Sequence, residues 1–589
     1  MKDIPQLREK QIGQLSFYIA NPRCLDLSDP GTGKTAPCCV YSYWVWTRQQ
    51  GRTFWSMPKS LLEKNLKEMA RFTEFSVKNP KRYTPGDDVA ILKTDHLAMT
   101  DDWTGPTVER IKKVKSWPVR VVQTGEQTST HELRERAAAK ATSKSAAAKA
   151  KAIKFWYSRP FQTEDNLTSF EWAPLDGRGK AVRSMECPPG LEVVPKLGPD
   201  GITPLREDVE VVEVARDLIG YYAQQGVKVV IFTFAFMAEH YERLLDAFPD
   251  AKLLLVDEMH MPGGYSTPGT ATSGPTKSVE SFYWVMRKVE RFVGMTGTLI
   301  NGRLDSAYPA ISVIEPRYYG SIAGFYYEHA ALTDDYDRVI LWKNEEKLSK
   351  IIKRHSIRRT FEEVYGEEDV VFLVEKLDLN EQLQEEYDKF EEQAMLELED
   401  GRTLDGSLPG VNLIRCRQIM AHPETMGLAK GEETAKDERL RVHLSSGKKT
   451  LIFASLKPEQ ERILRIAREM GLRAELINSD VPGAQRNRIN DLAQEGKLDV
   501  IVGSGATMAV GYNFEMFDLV IFASLDYMDT NILQAYRRAS RGTRTKTLHV
   551  VFLRYNTKVE ERIFQINTVK SQLANRVDET RPVLLFESG

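Results

Sequence analysis

The chain has 589 residues, of which 42% are hydrophobic and 28% are charged. This composition is that of an ordinary globular protein and excludes a disordered or fibrous chain. The formal net charge of −2 provides no overall attraction to nucleic acid, so any surface that binds nucleic acid must be local. The length suffices for several domains, each with its own core.

The cysteines and the apolar runs bound the cellular setting. No Cys-x-x-Cys pair is present, and the adjacent Cys38 and Cys39 are too close for an ordinary disulfide. We therefore expect a reducing compartment and no zinc site. No N-terminal signal segment and no apolar run of membrane length is found. These features predict a cytoplasmic protein without membrane association.

The segment 28–35, with the sequence SDPGTGKT, is the strongest local signal. It follows a short apolar run and precedes the mostly apolar segment 36–46, an order that predicts a strand, a phosphate-binding loop and a helix. Lys34 would reach the phosphates and the Thr35 hydroxyl would hold Mg²⁺. Ser28 stands where the strict motif has its first glycine, so a turn that caps a helix is the alternative. The candidate loop residues are Gly31, Thr32, Gly33, Lys34 and Thr35.

The elements around this loop alternate between strand and helix. Upstream, the amide of Gln11 could bond to an adenine edge, although a surface helix position is the alternative. Downstream, residues 53–58 read as a strand and 59–72 as a helix. This alternation predicts a parallel sheet covered by helices.

The alternation stops from about residue 75 to residue 205. Residues 109–160 contain thirteen Lys and Arg against four Asp and Glu. The Ala- and Lys-rich stretch 131–154 is helix-prone, and the aromatic residues 155–157 follow it. Basic residues beside aromatic residues suit contact with a nucleic-acid backbone and base stacking. A solvated helix with its aromatic end in a core is the alternative.

The next elements lead to a pair of acids. We predict a helix over 209–225 and buried strands over 227–234 and 251–256. Asp257 and Glu258 follow the last strand directly. At the carboxyl end of a parallel strand, Asp257 would contact Mg²⁺ and Glu258 would activate the attacking water. An acid pair that merely begins a loop is the alternative.

Two further segments complete this half of the chain. The Gly-, Ser-, Thr- and Pro-rich stretch 261–276 predicts a mobile loop. Residues 291–298 predict a strand and a turn, and the hydroxyls of Thr296 and Thr298 could sense the γ-phosphate.

The second half begins with charged helices and then repeats the strand–helix alternation. Residues 343–400 read as mostly helical, and a helix is predicted over 412–421. The second series has strands predicted over 450–454, 499–504 and 518–522 and a helix over 459–470. No second phosphate loop follows, which predicts one ATP site in the cleft between two α/β units.

Two arginines close the second series. Arg538 and Arg541 are three positions apart, so on a helix they would share one face. Two guanidiniums directed at the nucleotide of a neighbouring domain would form an arginine finger. A plain basic helix surface is the alternative.

In chain order these segments resemble the motifs of superfamily-two helicases and, within them, of Swi/Snf-type DNA translocases. The segment 417–423 (RQIMAHP) is close to a stretch particular to the Swi/Snf group. Met259 and Thr543 depart from the family pattern, and residues 75–205 match none of its motifs. The segments that carry the resemblance are 7–11, 29–35, 58–62, 257–260, 296–301, 417–423 and 504–513, followed by Gln534, Arg538 and Arg541.

The resemblance implies an α/β fold of two RecA-like parallel-sheet lobes. Residues 1–315 would form the first lobe with the basic insertion at about 75–205. A helical insertion over 316–440 would lead to the second lobe and C-terminal tail, 441–589.

The resemblance also implies ATP hydrolysis with Mg²⁺ in the cleft and movement along double-stranded DNA. Glu258, Gln534, Arg538 and Arg541 would be catalytic. Lys34, Thr35 and Asp257 would bind Mg·ATP and Gln11 the adenine. Residues that couple the site to nucleic acid would be Lys59, Ser60, Thr296, Thr298, Gly511 and Asn513.

Two other functions stay open. A strand-separating or fork-remodelling helicase would use the same site. An ATP-driven remodeller of a protein partner such as RNA polymerase belongs to another class. The compact length suggests a bacterial or phage protein.

Overall fold

The structure is a computed structural model that divides into two compact units, residues 1–94 with 219–589 and residues 95–218. The residues it describes are 4–79, 83–100, 103–116, 119–123, 154–155, 160–162, 168–170, 174–175, 191–195, 207–260, 275–335, 338–397, 403–405, 409–428, 433–508, 512–540, 544, 546–581, 583–584 and 586.

The first sheet has seven strands, and all neighbouring strands are parallel. Because the strands are parallel, their carboxyl ends meet at one edge, where the loop after residue 26, the turn after residue 57 and the acid pair lie. The strand order is Ser356–Ile357, Arg23–Asp26, Arg291–Met295, Ala251–Asp257, Arg52–Met57, Val229–Thr233 and Val89–Leu92.

Helices cover both faces of this sheet. One core contains side chains such as Tyr41, Leu62 and Trp55 from the helices Glu9–Ala20, Thr35–Gln49 and Leu62–Phe72 and from the strands. In another part of the lobe, the rings of Phe54 and Phe248 pack edge to face. Further helices of this part of the chain are Leu218–Gln224, Phe234–Ala247, Lys277–Met286 and Tyr308–Ile314.

The second sheet has six parallel strands. Its hydrophobic side chains are buried against the surrounding helices. Two parallel sheets with helices confirm the predicted α/β fold of two RecA-like lobes. The strand order is Val370–Leu377, Leu548–Tyr555, Leu519–Phe522, Thr450–Phe453, Val500–Gly503 and Ala474–Ile477. The helices are Ala435–Leu444, Lys457–Glu469, Gly483–Gln494, Gly505–Met508, Asp529–Tyr536 and Lys558–Val577.

The segment between the sheets is not uniformly helical. The prediction that 343–400 is mostly helical is wrong for Val370–Leu377, an edge strand of the second sheet. Its β-branched and aromatic run suits a pleated surface, and pairing with Leu548–Tyr555 decides its conformation. The helices are Pro316–Tyr319, Ile322–His329, Glu345–His355, Phe361–Tyr365, Glu381–Gln393 and Pro409–Ala421, with strand pairs Ala330–Thr333/Val339–Trp342 and Met395–Glu397/Thr403–Asp405. The boundaries at residues 315 and 440 stay predictions.

The inserted unit begins later than the sequence suggested. Val89–Leu92 is a strand of the first sheet, so the second compact unit begins at residue 95 rather than near 75. The helix predicted over 209–225 is also wrong: Glu207–Arg216 is a strand, and only Leu218–Gln224 is helical. Alternating valine and glutamate favour a strand, which pairs antiparallel with Thr107–Ser116.

The other strand pairs of the inserted unit are short. They are Val119–Gln123/Leu191–Pro195, Lys154–Phe155/Pro174–Leu175 and Pro160–Gln162/Thr168–Phe170. The helix predicted over 131–154 falls outside the described residues up to 153, as does the predicted mobile loop over 261–274. Within the described part of the chain, no helix has both the length and the apolar character of a membrane span.

Candidate nucleotide site

The predicted phosphate loop lies between the buried strand Arg23–Asp26 and the helix Thr35–Gln49, as expected. Gly31 and Gly33 have φ angles of 89° and 90°, a region that favours glycine. A Cβ atom on Gly33 would lie 2.7 Å from Nε2 of Gln11. That amide donates a hydrogen bond of 3.1 Å to the Gly33 carbonyl. The structure thus brings Gln11 into direct contact with the loop.

Ser28 has a structural task at the position where the strict motif has glycine. Its hydroxyl accepts hydrogen bonds from Gln14 Nε2 at 3.1 Å and from the Arg359 backbone N–H at 3.0 Å. Its own N–H donates to the buried carboxylate of Asp26, at 2.9 Å. Asp26 also accepts bonds from Gln14 and from the Tyr18 hydroxyl. These bonds hold the start of the loop, and the sequence reading missed them.

Lys34 closes the loop from within. Its ammonium group donates to the carbonyl oxygens of Ser28, at 2.5 Å, and Asp29, at 3.1 Å. The Thr32 hydroxyl donates to the same Asp29 carbonyl, at 2.7 Å. Asp29 is therefore the residue on which the charged and hydroxyl groups of the loop converge.

Asp257 and Glu258 lie at the end of their strand, as predicted. Asn65 Nδ2 donates to Asp257 at 3.1 Å, and the Glu258 N–H donates to the same carboxylate at 3.1 Å. Burial and then the charge of Glu258 raise the pKa of Asp257, while the Asn65 bond, Lys34 and Lys64 act against this rise. Glu258 has a φ of 55°, a left-handed conformation that costs a non-glycine residue about 1 kcal/mol. Backbone strain of this kind clusters at functional sites.

A chain of polar contacts runs from the acid pair into the second lobe. His260 Nδ1 lies 3.5 Å from Glu258 Oε2 and 2.8 Å from the Thr296 hydroxyl. It also lies 3.3 Å from the Thr298 hydroxyl, which accepts a bond of 3.1 Å from Gln534 Nε2. Glu258, Thr296, Thr298 and Gln534, all predicted as site residues, are thus brought together.

His260 in this chain is neutral at neutral pH. Burial lowers the pKa of His260 to about 4, Arg581 and Lys34 act in the same direction, and Asp257 opposes them. The contact with Glu258 is therefore no ion pair at pH 7.

Arg538 lies beyond the helix on which it was predicted. The helix Asp529–Tyr536 ends before Arg538, so the predicted shared helix face of Arg538 and Arg541 is wrong for Arg538. After Tyr536 the backbone turns more tightly: the Arg538 N–H bonds to the Ala535 carbonyl, and the Arg538 carbonyl accepts from the Phe514 N–H. Arg541 and Gly511 lie outside the described residues.

Arg537 contacts the loop, with Nη1 at 3.1 Å from Asp29 Oδ2. Arg358 Nη2 lies 2.8 Å from the other oxygen of Asp29. Neither arginine was predicted, because nothing in their local sequence distinguishes them from surface arginines. The one sequence signal that could have predicted a cationic partner is Asp29, because a buried acid needs such a partner.

The remaining predicted coupling residues lie apart from this cluster. Lys59 and Ser60 are exposed in a short turn after the strand Arg52–Met57, at the same edge of the sheet as the loop. The Asn513 N–H contacts Asn490 Oδ1 at 3.5 Å in the second lobe.

The residues present fit Mg²⁺ with a nucleotide. In the described part of the chain, no group of three or more His, Cys, Asp or Glu forms a metal cage. Mg²⁺ in nucleotide sites is held by one or two protein oxygens together with phosphate oxygens. The Thr35 hydroxyl and the Asp257 carboxylate would be those protein ligands, beside the loop in which Gly31 and Gly33 have φ angles near 90°.

Comparison with known proteins places the second lobe in a family. Residues 435–543 match the helicase conserved C-terminal domain. A mouse protein, chromodomain-helicase-DNA-binding protein 1-like, is 28% identical over 151 residues, which are 26% of this chain. The resemblance to superfamily-two helicases of the Swi/Snf type is confirmed. The chain spans only 17% of the length of this mouse relative.

Two solved structures that are similar to this chain share little sequence identity with it. The SWI2/SNF2 ATPase core of Sulfolobus solfataricus in complex with double-stranded DNA is 14% identical, with a TM-score of 0.33 and 99% of each chain covered. The C-terminal part of the Fun30 ATPase domain is 15% identical, with a TM-score of 0.29, and covers 36% of this chain and 99% of its own. At these TM-scores neither structure carries an argument. The predicted bacterial or phage source and cytoplasmic location stay predictions.

Proposed function

We propose that this chain hydrolyses ATP in the cleft between its two lobes and uses the energy to move along double-stranded DNA. The observation that carries the proposal is the polar chain from Glu258 through His260 and Thr298 to Gln534. It links the acid pair beside the phosphate loop to the lobe that matches the helicase domain. An ATPase whose chemistry depends on closure of two lobes requires such a link.

Residues of the first lobe would bind the phosphates and activate the attacking water. The N–H groups of the loop and the N-terminus of the helix Thr35–Gln49 would bind phosphate oxygens, with Lys34 adding positive charge. Bound Mg²⁺ would neutralise charge on the phosphates. Glu258 would accept a proton from the attacking water.

Residues of both lobes would support this step. His260 is neutral, so it can bond to the Thr296 hydroxyl and lie beside Glu258 without adding charge. Arg538 and Arg541 remain the proposed arginine fingers, and Gln534 the proposed link to Thr298.

The decisive test is steady-state ATP hydrolysis without nucleic acid and with single-stranded DNA, double-stranded DNA or RNA, at two salt concentrations. We expect stimulation by the duplex that weakens as salt rises, because phosphate contacts release counterions. Stimulation mainly by single strands or RNA would indicate a strand-separating helicase. No stimulation by any of them would indicate a remodeller of a protein partner.

Glu258→Gln should abolish turnover and keep ATP binding. The amide has the shape of the acid but cannot accept the proton, and general-base catalysis contributes about 10²- to 10⁴-fold. Turnover and binding of a fluorescent ATP analogue measure the two effects.

Glu315→Gln is the matched control. Like Glu258, Glu315 is a glutamate that contacts a histidine: its carboxylate lies 2.6 Å from His355. It should hydrolyse ATP normally. A fully active Glu258→Gln protein would remove Glu258 from the mechanism.

A further inference from the structure

Asp29 receives partners from both lobes. Its carboxylate is almost completely buried and accepts bonds from Arg358 at 2.8 Å and from the Phe361 N–H at 3.0 Å, both shortly after the edge strand Ser356–Ile357 of the first sheet. Arg537, from the second lobe, approaches the same carboxylate at 3.1 Å. Its guanidinium is also almost completely buried.

The charges favour this contact. Burial raises the pKa of Asp29, but Arg537, Arg358 and the Phe361 N–H lower it by more, so the pKa lies below its ordinary value and the group is ionised. Arg358 also pairs with Asp578, at 2.5 Å. Glu368 adds a further negative charge near Arg537. A buried guanidinium without such partners would be costly, so the pair is stable only while the lobes are together.

The main chain of Asp29 connects this ion pair to the loop. The carbonyl oxygen of the same residue accepts bonds from Lys34 and Thr32. Whatever fixes the carboxylate therefore also fixes the carbonyl that orients the Lys34 ammonium. If the second lobe moves away, Asp29 retains Arg358 and Phe361 but loses Arg537.

We propose that Arg537 is a positioning residue of the ATP site, which holds the phosphate loop through Asp29 when the two lobes close. This inference rests on the proposed ATP hydrolysis and assigns Arg537 a role distinct from that of Arg538 and Arg541. Arg537 makes closure of the second lobe a condition for the correct orientation of Lys34.

The kinetic test compares Arg537→Gln with Arg544→Gln. Arg544 is in the same lobe and its side chain is equally exposed, 8% in both cases, but its partner Asp518 at 2.9 Å belongs to its own lobe. For Arg537→Gln we expect kcat about 10- to 100-fold lower with KM for ATP changed far less, because misplaced groups slow the chemical step. Arg537→Lys should restore part of the rate, and Arg544→Gln should keep it.

A second variant pair tests the route through Asp29. If Arg537 acts only through this carboxylate, Asp29→Asn together with Arg537→Gln should be no slower than the slower single variant. If the two substitutions lowered kcat independently, so that their fold-changes multiplied in the double variant, Arg537 would not act through Asp29.

A distance measurement separates this inference from the proposed function. Labels on Glu290→Cys in the first lobe and Lys497→Cys in the second, both exposed positions, report lobe closure in a Cys187→Ser background. The described native cysteines are buried. Arg537→Gln should shift the distribution to longer distances, and Arg544→Gln should not. If the wild-type protein did not hydrolyse ATP, only the proposed function would be refuted. If Arg537→Gln changed neither the label distances nor kcat, the role of Arg537 would be refuted.

Discussion

His260 shows how a histidine beside the proposed catalytic Glu258 can carry a stability cost. Buried beside Glu258 and two threonines, it has a pKa of about 4 instead of the ordinary 6.5. Between these two values the unfolded chain binds a proton that the folded chain does not. Stability from this group is therefore complete above about pH 6.5 and is lost as the pH falls toward 4.

We predict that His260→Gln makes the protein less sensitive to acid. The 2.5-unit difference corresponds to at most about 3 kcal/mol of unfolding free energy lost between pH 6.5 and 4. Thermal unfolding midpoints of both proteins over this range measure it, and the values at pH 8 give the cost of the substitution itself. Parallel curves for the two proteins would show that His260 does not titrate as described.

At the scale of one element, the phosphate loop has two glycines with the same conformation and different surroundings. Gly31 and Gly33 both have positive φ angles near 90°. A Cβ on Gly31 would meet nothing within 4 Å, but one on Gly33 would meet the Gln11 amide. Alanine at either position carries backbone strain of about 1–2 kcal/mol. Only alanine at position 33 also displaces Gln11.

We therefore predict that Gly33→Ala lowers the preference for ATP over GTP, because the displaced Gln11 amide no longer reads the adenine edge. Gln11→Ala should lower it to a similar extent. The ratio of kcat/KM for the two nucleotides measures the effect.

Gly31→Ala is the control, since it strains the loop without touching Gln11. It should keep the preference for ATP over GTP while lowering kcat/KM for both nucleotides. Equal loss of preference in Gly31→Ala and Gly33→Ala would refute a role for Gln11 in base recognition.

At the scale of the whole molecule, the two ends of the inserted unit lie next to each other. The antiparallel pair Thr107–Ser116/Glu207–Arg216 sets Val108 directly opposite Ala215. A two-residue turn can therefore replace 109–214, because such turns join the ends of paired strands. The first sheet and second sheet lie entirely in the other unit.

We predict that this deletion keeps ATP hydrolysis without DNA and reduces its stimulation by duplex DNA. Residues 109–160 alone carry thirteen Lys and Arg, and the deletion would remove the contacts with phosphates that we propose for them. Hydrolysis rates with and without duplex, and circular dichroism as a control of folding, measure the outcome. Undiminished stimulation would favour the alternative that the basic segment is only a solvated helix.

The sequence by itself determined the two α/β lobes, the phosphate loop and the acid pair. These features depend on the spacing of apolar residues, on glycine conformation and on acids at strand ends, which are local properties. Local patterns failed where a tertiary partner decided the conformation, as in the edge strand Val370–Leu377 and the strand Glu207–Arg216.

Only the tertiary structure decided which charged groups meet in the cleft. The contact of Arg537 with Asp29 joins residues more than 500 positions apart in the chain. At the position where the strict motif has glycine, the Ser28 hydroxyl accepts bonds from Gln14 and from the Arg359 backbone N–H. Such contacts join residues far apart in the chain, and no sequence spacing encodes them.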